Sequence, residues 1–236
     1  VAAKLAYIQS VGADGVNIDI EGDTEFKDEL TALVQATAAA FHGWSPHTQV
    51  TFDISVWPNG KSPGYDFPGI AKACDFVVPM AYDMCWGAHT AKANSPIATV
   101  KANMVAYTAE LGVPASKIVL GLPWYGYDFP CSTPTPGAVC NVTQPFGGGA
   151  WQRTFADVLT TEANATSPAV LDSPTMSKHF DYAAADGRHQ VWYDDEETLA
   201  SKYAMARGLS LHGVAFWHAD CLDYASPRAE SMWATL

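Results

Sequence analysis

The eight residues from Asp14 to Glu21 constrain the fold of this chain more than any other part of its sequence. They read Asp-Gly-Val-Asn-Ile-Asp-Ile-Glu. Side chains alternate between the two faces of a β-strand, so Asn17, Asp19 and Glu21 share one face and the other face is apolar. A solvated antiparallel sheet also alternates. Helical patterns on both sides favour a βαβ setting instead. The carboxylates then lie at the carboxyl end of a parallel strand, where enzymes built on parallel barrels carry their catalytic residues.

Four more strands are predicted, at about 50–58, 76–80, 117–127 and 213–217, and Asp53 falls on the polar face of the first of them. Helical periodicity predicts helices at about 1–11, 26–42, 68–73, 96–111, 196–207 and 226–236. Residues 130–190 are rich in Pro, Gly, Thr and Ser and are predicted to be irregular, apart from a helix within 151–161; a short strand follows at 190–195. Alternating strands and helices predict a parallel α/β sheet, but they do not separate a doubly wound sheet from part of a barrel.

The composition excludes several classes of partner. A formal net charge of −12 disfavours nucleic acid and anionic membrane surfaces. No apolar run approaches the roughly 20 residues of a membrane-spanning helix. The histidines, among them His42, His47 and His89, lack the spacing of metal ligands, so we expect neither a metal nor another cofactor. The charge suits a neutral glycan substrate or an acidic compartment.

The cysteines and glycosylation motifs favour an oxidising route. Cys131 and Cys140 bracket a loop rich in Pro, Thr and Gly, which makes a disulfide between them plausible. Asn141 and Asn164 each begin an Asn-x-Thr acceptor motif. Together these features predict a lysosomal or secreted protein. Because there are five cysteines, at least one is free or has its partner outside this chain.

The octapeptide resembles the Asp-Gly-x-Asp-x-Asp-x-Glu signature of glycoside hydrolase family 18, the chitinase-like enzymes. Asp14, Gly15, Asp19 and Glu21 match it, whereas Asn17 stands where the family usually has a second Asp. That departure, and the Trp-Tyr-Gly-Tyr-Asp sequence from residue 124, resemble the chitobiase branch of the family. The similarity is densest at 14–21, 50–58, 74–83, 117–128 and 213–224.

The resemblance implies a (β/α)8 barrel of the TIM type. Residues 1–236 then form one catalytic domain that supplies the last five βα units, with 130–190 as an excursion between strands 7 and 8. Eight units take about 250 residues, and the family has three strands before its signature strand. We therefore expect an N-terminally truncated chain that holds strands 4–8, and we expect it to be a monomer.

The resemblance also implies a glycosidase that hydrolyses β-1,4-linked N-acetylglucosamine in chitobiose or chito-oligosaccharides. Glu21 would act as acid and then as base, with carboxylate and apolar neighbours that raise its pKa. Family 18 uses the acetamido oxygen of the substrate as the nucleophile in place of an enzyme carboxylate. Asp19 would hold the acetamido N–H, and Tyr82 would donate its hydroxyl to the acetamido oxygen.

The remaining site residues also follow from the resemblance. Asp83 would contact sugar hydroxyls, and Trp217 would form the apolar floor beneath the −1 sugar; Asn17 and Met80 complete the substrate-binding set. Because Asn17 can only hydrogen-bond to Asp19, we expect Asp19 to stay ionised to a lower pH than in an Asp–Asp pair. For the aromatic residues ordinary core packing is the alternative. Asp14 and Gly15 are interpreted as structural, and weaker site candidates are Trp57, Trp124, Tyr125 and Tyr193.

Three other hypotheses are compatible with the same residues. A polymer-cleaving chitinase would need aromatic platforms on several loops. A chitin-binding lectin can share the barrel but usually lacks the catalytic Glu, which is present here as Glu21. An incomplete barrel would be inactive, since open sheet edges leave catalytic residues poorly positioned.

Overall fold

The computed structural model describes residues 1–21, 25–58, 64–135, 137–143 and 151–236. These residues divide into two compact units. The first unit comprises Val1–Met80, Ala102–Gly121 and Ala206–Ala215. The second unit comprises Ala81–Lys101, Leu122–Met205 and Phe216–Leu236.

Each of the five predicted βα strands supplies a strand to one sheet, in the order β1-β2-β3-β4-β10. Their bounds are Gly15–Asp19 (β1), Gln49–Ser55 (β2), Phe76–Met80 (β3), Val119–Pro123 (β4) and Gly213–Trp217 (β10). The strand predicted at 117–127 contributes only Val119–Pro123, because Tyr125–Pro130 belongs to another sheet. The pairs β1–β2, β2–β3 and β3–β4 are parallel. The parallel α/β sheet is therefore confirmed, and the closed barrel stays a prediction.

Seven α-helices accompany the strands within the described residues, close to the predicted positions. They are Ala2–Val11 (α1), Lys27–Trp44 (α2), Phe67–Ala73 (α3), Ile97–Val105 (α4), Phe155–Glu162 (α5), Glu196–Gly208 (α6) and Pro227–Ala234 (α7). The helix α4 continues as a π-helical turn, Ala106–Glu110, and 3₁₀ turns span Ala115–Lys117 and Ala219–Cys221. In the part of the chain that the structure describes, no helix has both the length and the apolar character to cross a membrane.

The core of the first unit follows from simple periodicities. Alternate residues of β2, namely Val50, Phe52 and Ile54, are fully buried. Val34 and Phe41 of α2 are also fully buried, at the spacing of one helix face. Burial of each such side chain contributes roughly 1.5–3 kcal/mol. This packing fixes β2 and leaves its other face free to carry polar groups.

The excursion before the last strand is more ordered than predicted. Its described residues include a five-stranded antiparallel sheet in the order β6-β5-β9-β8-β7. The bounds are Tyr125–Pro130 (β5), Gln152–Thr154 (β6), Val170–Asp172 (β7), Ser177–Ala184 (β8) and Gly187–Tyr193 (β9). The prediction of an irregular segment over 130–190 was therefore wrong for these residues. Their turn-rich composition concealed short strands, although Asp186-Gly187 is a strong hairpin signal.

One disulfide is present among the described residues, and it is the predicted pair. Cys131 and Cys140 are bonded, with 5.0 Å between their Cα atoms. Cys74, Cys85 and Cys221 are free and buried. Burial raises the pKa of the Cys74 and Cys85 thiols to about 12, which keeps them protonated and unreactive.

Candidate active site

Polar side chains collect at the carboxyl ends of β1 and β2, in the first unit. In the parallel register Asn17 lies opposite Thr51, and Asp19 lies opposite Asp53. Asn17 and Asp19 are exposed, while Val16 and Ile18, which alternate with them, are partly covered. The predicted alternation is therefore confirmed from Val16 to Asp19, whereas Ile20, which follows the end of β1, is exposed. Glu21 is exposed and lies two residues beyond the end of the strand.

The amide of Asn17 joins the two strands through side-chain hydrogen bonds. Its Nδ2 donates to Oδ2 of Asp53 at 2.8 Å, and its Oδ1 accepts from the Thr51 hydroxyl at 2.9 Å. The sequence analysis assigned this amide to Asp19. Residues two apart on one strand are separated by about 6.6 Å, whereas neighbouring strands lie about 4.8 Å apart, so the cross-strand carboxylate is the better placed acceptor.

Asp53 is a titratable neighbour of the predicted catalytic residues. Its pKa is raised chiefly because the carboxyl is partly buried. The hydrogen bond from Asn17 opposes that shift, and the negative charge of Asp19 adds to it. Asp53 therefore takes up a proton at a higher pH than an ordinary aspartate, beside the strand that carries Asp19.

Tyr65 is a residue of this cluster that the sequence analysis did not find. Its hydroxyl donates to the Ile20 carbonyl at 2.8 Å, which fixes the backbone between Asp19 and Glu21. The ring is buried and packs edge-on against Phe52, with 6.0 Å between centroids. Burial raises the pKa of Tyr65, and the negative charges of Glu21 and Asp19 raise it further. The phenol thus lies within electrostatic reach of both predicted catalytic carboxylates.

A second polar cluster surrounds Asp83, in the second unit. Oδ1 of Asp83 accepts hydrogen bonds from the hydroxyls of Tyr125 at 2.5 Å and Tyr127 at 2.6 Å. Both tyrosines are buried and lie on β5. Burial, with the Asp83 charge, raises the pKa of both phenols. Both phenols therefore remain donors across the physiological range and hold the Asp83 carboxylate in position.

The backbone of Asp83 is fixed as tightly as its side chain. Its N–H donates to Oδ1 of Asn94 at 2.6 Å, and Asn94 is almost fully buried. Asp83 has a φ of 58°, in the left-handed region that few residues other than glycine adopt. The ring of Tyr82 lies edge-on to Tyr125, with 6.0 Å between centroids.

The other predicted aromatic residues divide between surface and core. Trp217, at the end of β10, is 52% exposed, as a sugar platform requires. Trp124 is fully buried and stacks on Phe216 at 3.7 Å between centroids, so core packing is the correct interpretation there. Tyr193 is buried and donates to Glu162 at 3.2 Å. Trp57 and Met80 are both half-buried, just after β2 and at the end of β3.

Gly15 has a geometric reason to be glycine. A Cβ atom at this position would lie 2.0 Å from the Gln49 carbonyl oxygen on the neighbouring strand. Asp14 accepts a backbone hydrogen bond from Gln49 at 3.0 Å, at the entry to β1. Within the described ranges, no group of three or more His, Cys, Asp or Glu side chains is arranged to hold a metal ion.

Comparison with solved structures shows which proteins share this fold. The chain superposes on the class V chitinase of Nicotiana tobaccum with a TM-score of 0.85 at 17% identity, over 99% of this chain and 71% of that one. The two therefore share a fold.

Sequence comparison gives the family. The chain is 33% identical to rat di-N-acetylchitobiase over 257 residues, which cover all of this chain and 70% of the relative. It is 32% identical to the human enzyme of the same name, over all of this chain and 66% of that protein. Residues 1–221 match the glycosyl hydrolases family 18. The chain belongs to this family and is a glycoside hydrolase.

Proposed function

We propose that this protein hydrolyses β-1,4-linked N-acetylglucosamine in chitobiose or short chito-oligosaccharides, with Glu21 as the acid and base. The observation that carries the proposal is the position of Glu21. It follows the β1 strand that bears Asp19, and the Tyr65 hydroxyl holds the intervening backbone. The names of the rat and human relatives support chitobiose as the substrate.

The proposed chemistry is substrate-assisted and retains the anomeric configuration. Glu21 protonates the glycosidic oxygen while the acetamido oxygen of the substrate attacks C1, so the C1–O bond breaks and an oxazolinium ion forms. Asp19 holds the acetamido N–H and offsets the developing positive charge. Glu21, now a carboxylate, then removes a proton from the water that opens the oxazolinium, which completes hydrolysis with no other reactant.

The remaining predicted roles are part of the same proposal. Tyr82 donates to the acetamido oxygen, and Asp83 and Trp217 contact the sugar. Asn17 and Met80 belong to the substrate-binding set. The proposal also includes the (β/α)8 barrel, and a lysosomal or secreted location, which the Cys131–Cys140 disulfide supports.

Hydrolysis of a fluorogenic N,N′-diacetylchitobioside at about pH 5 tests the proposal, since a carboxyl group must act there both as acid and as base. We expect Glu21→Gln to lower kcat by about 10²–10⁴-fold, because general acid catalysis contributes that much. Glu29→Gln is the matched control, since Glu29 is an exposed glutamate in the first turn of α2. It should leave kcat unchanged.

Two other results would redirect the assignment. Turnover that is equal in the Glu21→Gln and Glu29→Gln variants would remove Glu21 from the chemistry. Absence of turnover together with binding of chitin oligomers, measured by calorimetry, would favour a lectin.

A further inference from the structure

A histidine in the antiparallel sheet faces a carboxylate on each side of its ring. His189 Nδ1 lies 2.8 Å from Oδ1 of Asp128, and His189 Nε2 lies 3.0 Å from Oδ1 of Asp186. His189 and Asp128 are buried, whereas Asp186 is exposed in the turn between β8 and β9. Nothing in the proposed chemistry uses these three residues.

The geometry fixes the charge of this imidazole. A neutral imidazole carries one N–H and can donate to one carboxylate only, whereas an imidazolium donates from both nitrogens. Two ionised carboxylates accept and cannot donate, so the neutral ring would leave one close N···O contact without a proton. The arrangement is therefore complete only when His189 is protonated.

The charged and titratable groups around the ring are consistent with that state. Tyr182 on β8 donates to Oδ2 of Asp128 at 2.7 Å, and Arg153 on β6 donates to the same oxygen at 3.1 Å. Both groups bind Oδ2 of Asp128, while Oδ1 of the same carboxylate faces His189. The carboxylate of Asp128 and then that of Asp186 raise the pKa of His189, against the opposing effect of burial.

The partner of this histidine lies in the strand that holds Asp83. Asp128 belongs to β5, and side chains alternate along a strand, so Asp128 projects to the face opposite Tyr125 and Tyr127. Those two hydroxyls bind Asp83. The contact of His189 with Asp128 therefore holds β5 on the face opposite Tyr125 and Tyr127, at the residue directly after Tyr127.

We propose that His189 is a positioning residue whose protonated ring, clamped between Asp128 and Asp186, holds β5 and the Asp83 cluster in place at acidic pH. The folded-state pKa of His189 lies above its ordinary value of 6.5. The stabilisation is therefore complete below that value and is lost as the pH rises through the folded-state pKa. The role of Asp83 in substrate binding rests on the proposed function, but the clamp itself does not.

The first test is an NMR titration of the His189 C2–H resonance, assigned by its loss in His189→Gln. We expect a pKa above 6.5 in the unmodified protein. In Asp186→Asn we expect it to fall, because one nearby negative charge is removed. A pKa at or below the ordinary value, or one that Asp186→Asn does not lower, would overturn the clamp.

The second test separates positioning from a purely structural contribution. Wild-type KM for the chitobioside should rise as the pH passes through the measured pKa of His189, whereas in His189→Gln it should be raised and independent of pH over that range. His47→Gln is the control, since His47 is exposed in the first unit. An unaltered KM profile in a folded His189→Gln protein would overturn the positioning role. Absence of all turnover would instead count against the proposed function, and the NMR titration would still decide the clamp.

Discussion

Asp53 and Asp83 are aspartates of the two polar clusters, and the protein holds them in opposite ways. Asp53 is half-buried and accepts from one amide, and its pKa is raised. Asp83 receives two tyrosine hydroxyls on one oxygen, and its backbone N–H is bound as well. A carboxylate held by several donors is fixed in position. Asp53 has a single side-chain donor and lies beside another carboxylate, and its pKa is raised. The Asp83 side chain is thus held in place by its donors, whereas the carboxyl group of Asp53 binds a proton more readily than an ordinary aspartate.

The largest effect that would break this contrast is expected from Tyr125→Phe. The change removes one of the two hydroxyl donors to a charged group in a buried setting, so the free energy of unfolding should fall by about 1.5–3 kcal/mol. Urea denaturation measures it. Tyr224→Phe is the matched control, because the Tyr224 hydroxyl donates to the Ala219 carbonyl at an exposed site. Equal losses in both variants would mean that Asp83 does not depend on this donor.

A smaller effect is expected from Tyr65→Phe in the first unit. Loss of the bond to the Ile20 carbonyl should cost about 0.5–1.5 kcal/mol of unfolding free energy. It should also lower kcat, since the backbone before Glu21 is released. Tyr7→Phe, at a 61% exposed tyrosine of α1, is the control for removal of a hydroxyl. If Tyr65→Phe lowers stability and leaves kcat at the Tyr7→Phe value, Tyr65 only stabilises the strand end.

The smallest effect is expected from Asn17→Asp, which should shift the pKa of Asp53. It tests the contrast between the two aspartates most directly. The change removes the donor to Asp53 and adds a like charge, so the pKa of Asp53 should rise further. A raised carboxyl pKa means that unfolding free energy falls as the pH rises from the ordinary value of 3.8 through the folded-state value. In Asn17→Asp this loss of unfolding free energy should extend to a higher pH. The acidic limb of the pH–rate profile should shift to a higher pH as well.

Urea titrations at several pH values, with the pH–rate profile, check this expectation. Thr51→Val is a useful companion, because it removes the donor to Asn17 Oδ1 without adding charge. A profile for Asn17→Asp that coincides with the unmodified protein would contradict the assignment of the Asn17 amide to Asp53.

Local sequence patterns predicted the elements that depend on neighbours in the chain. The alternation around Asp19 placed β1 and its polar face correctly, and the loop between Cys131 and Cys140 indicated their disulfide. The contacts of Asp83 were not predictable in this way. Tyr125 and Tyr127 lie 42 and 44 residues further along the chain, and they were predicted as the end of the strand at 117–127 and not as part of a second sheet.

Single aromatic residues were the hardest to assign, since a large ring serves a core and a sugar site equally well. Trp124 belongs to the core because Phe216 stacks on it. Tyr65 was missed because it lies outside the helices and strands and belongs to no periodic pattern, and only the fold brings its hydroxyl to Ile20. Asn17 was expected to contact its neighbour on β1, but the pairing of β1 with β2 provided Asp53 instead.

The left-handed backbone at Asp83 restricts how this site can be varied in laboratory evolution. A replacement must accept a φ of 58° and also offer an oxygen to two phenols. Glycine meets the first demand and not the second, and glutamate meets the second at a cost in backbone strain. Asparagine satisfies both, so a library that aims at new sugar specificity loses little by fixing residue 83 as Asp or Asn and placing its diversity elsewhere.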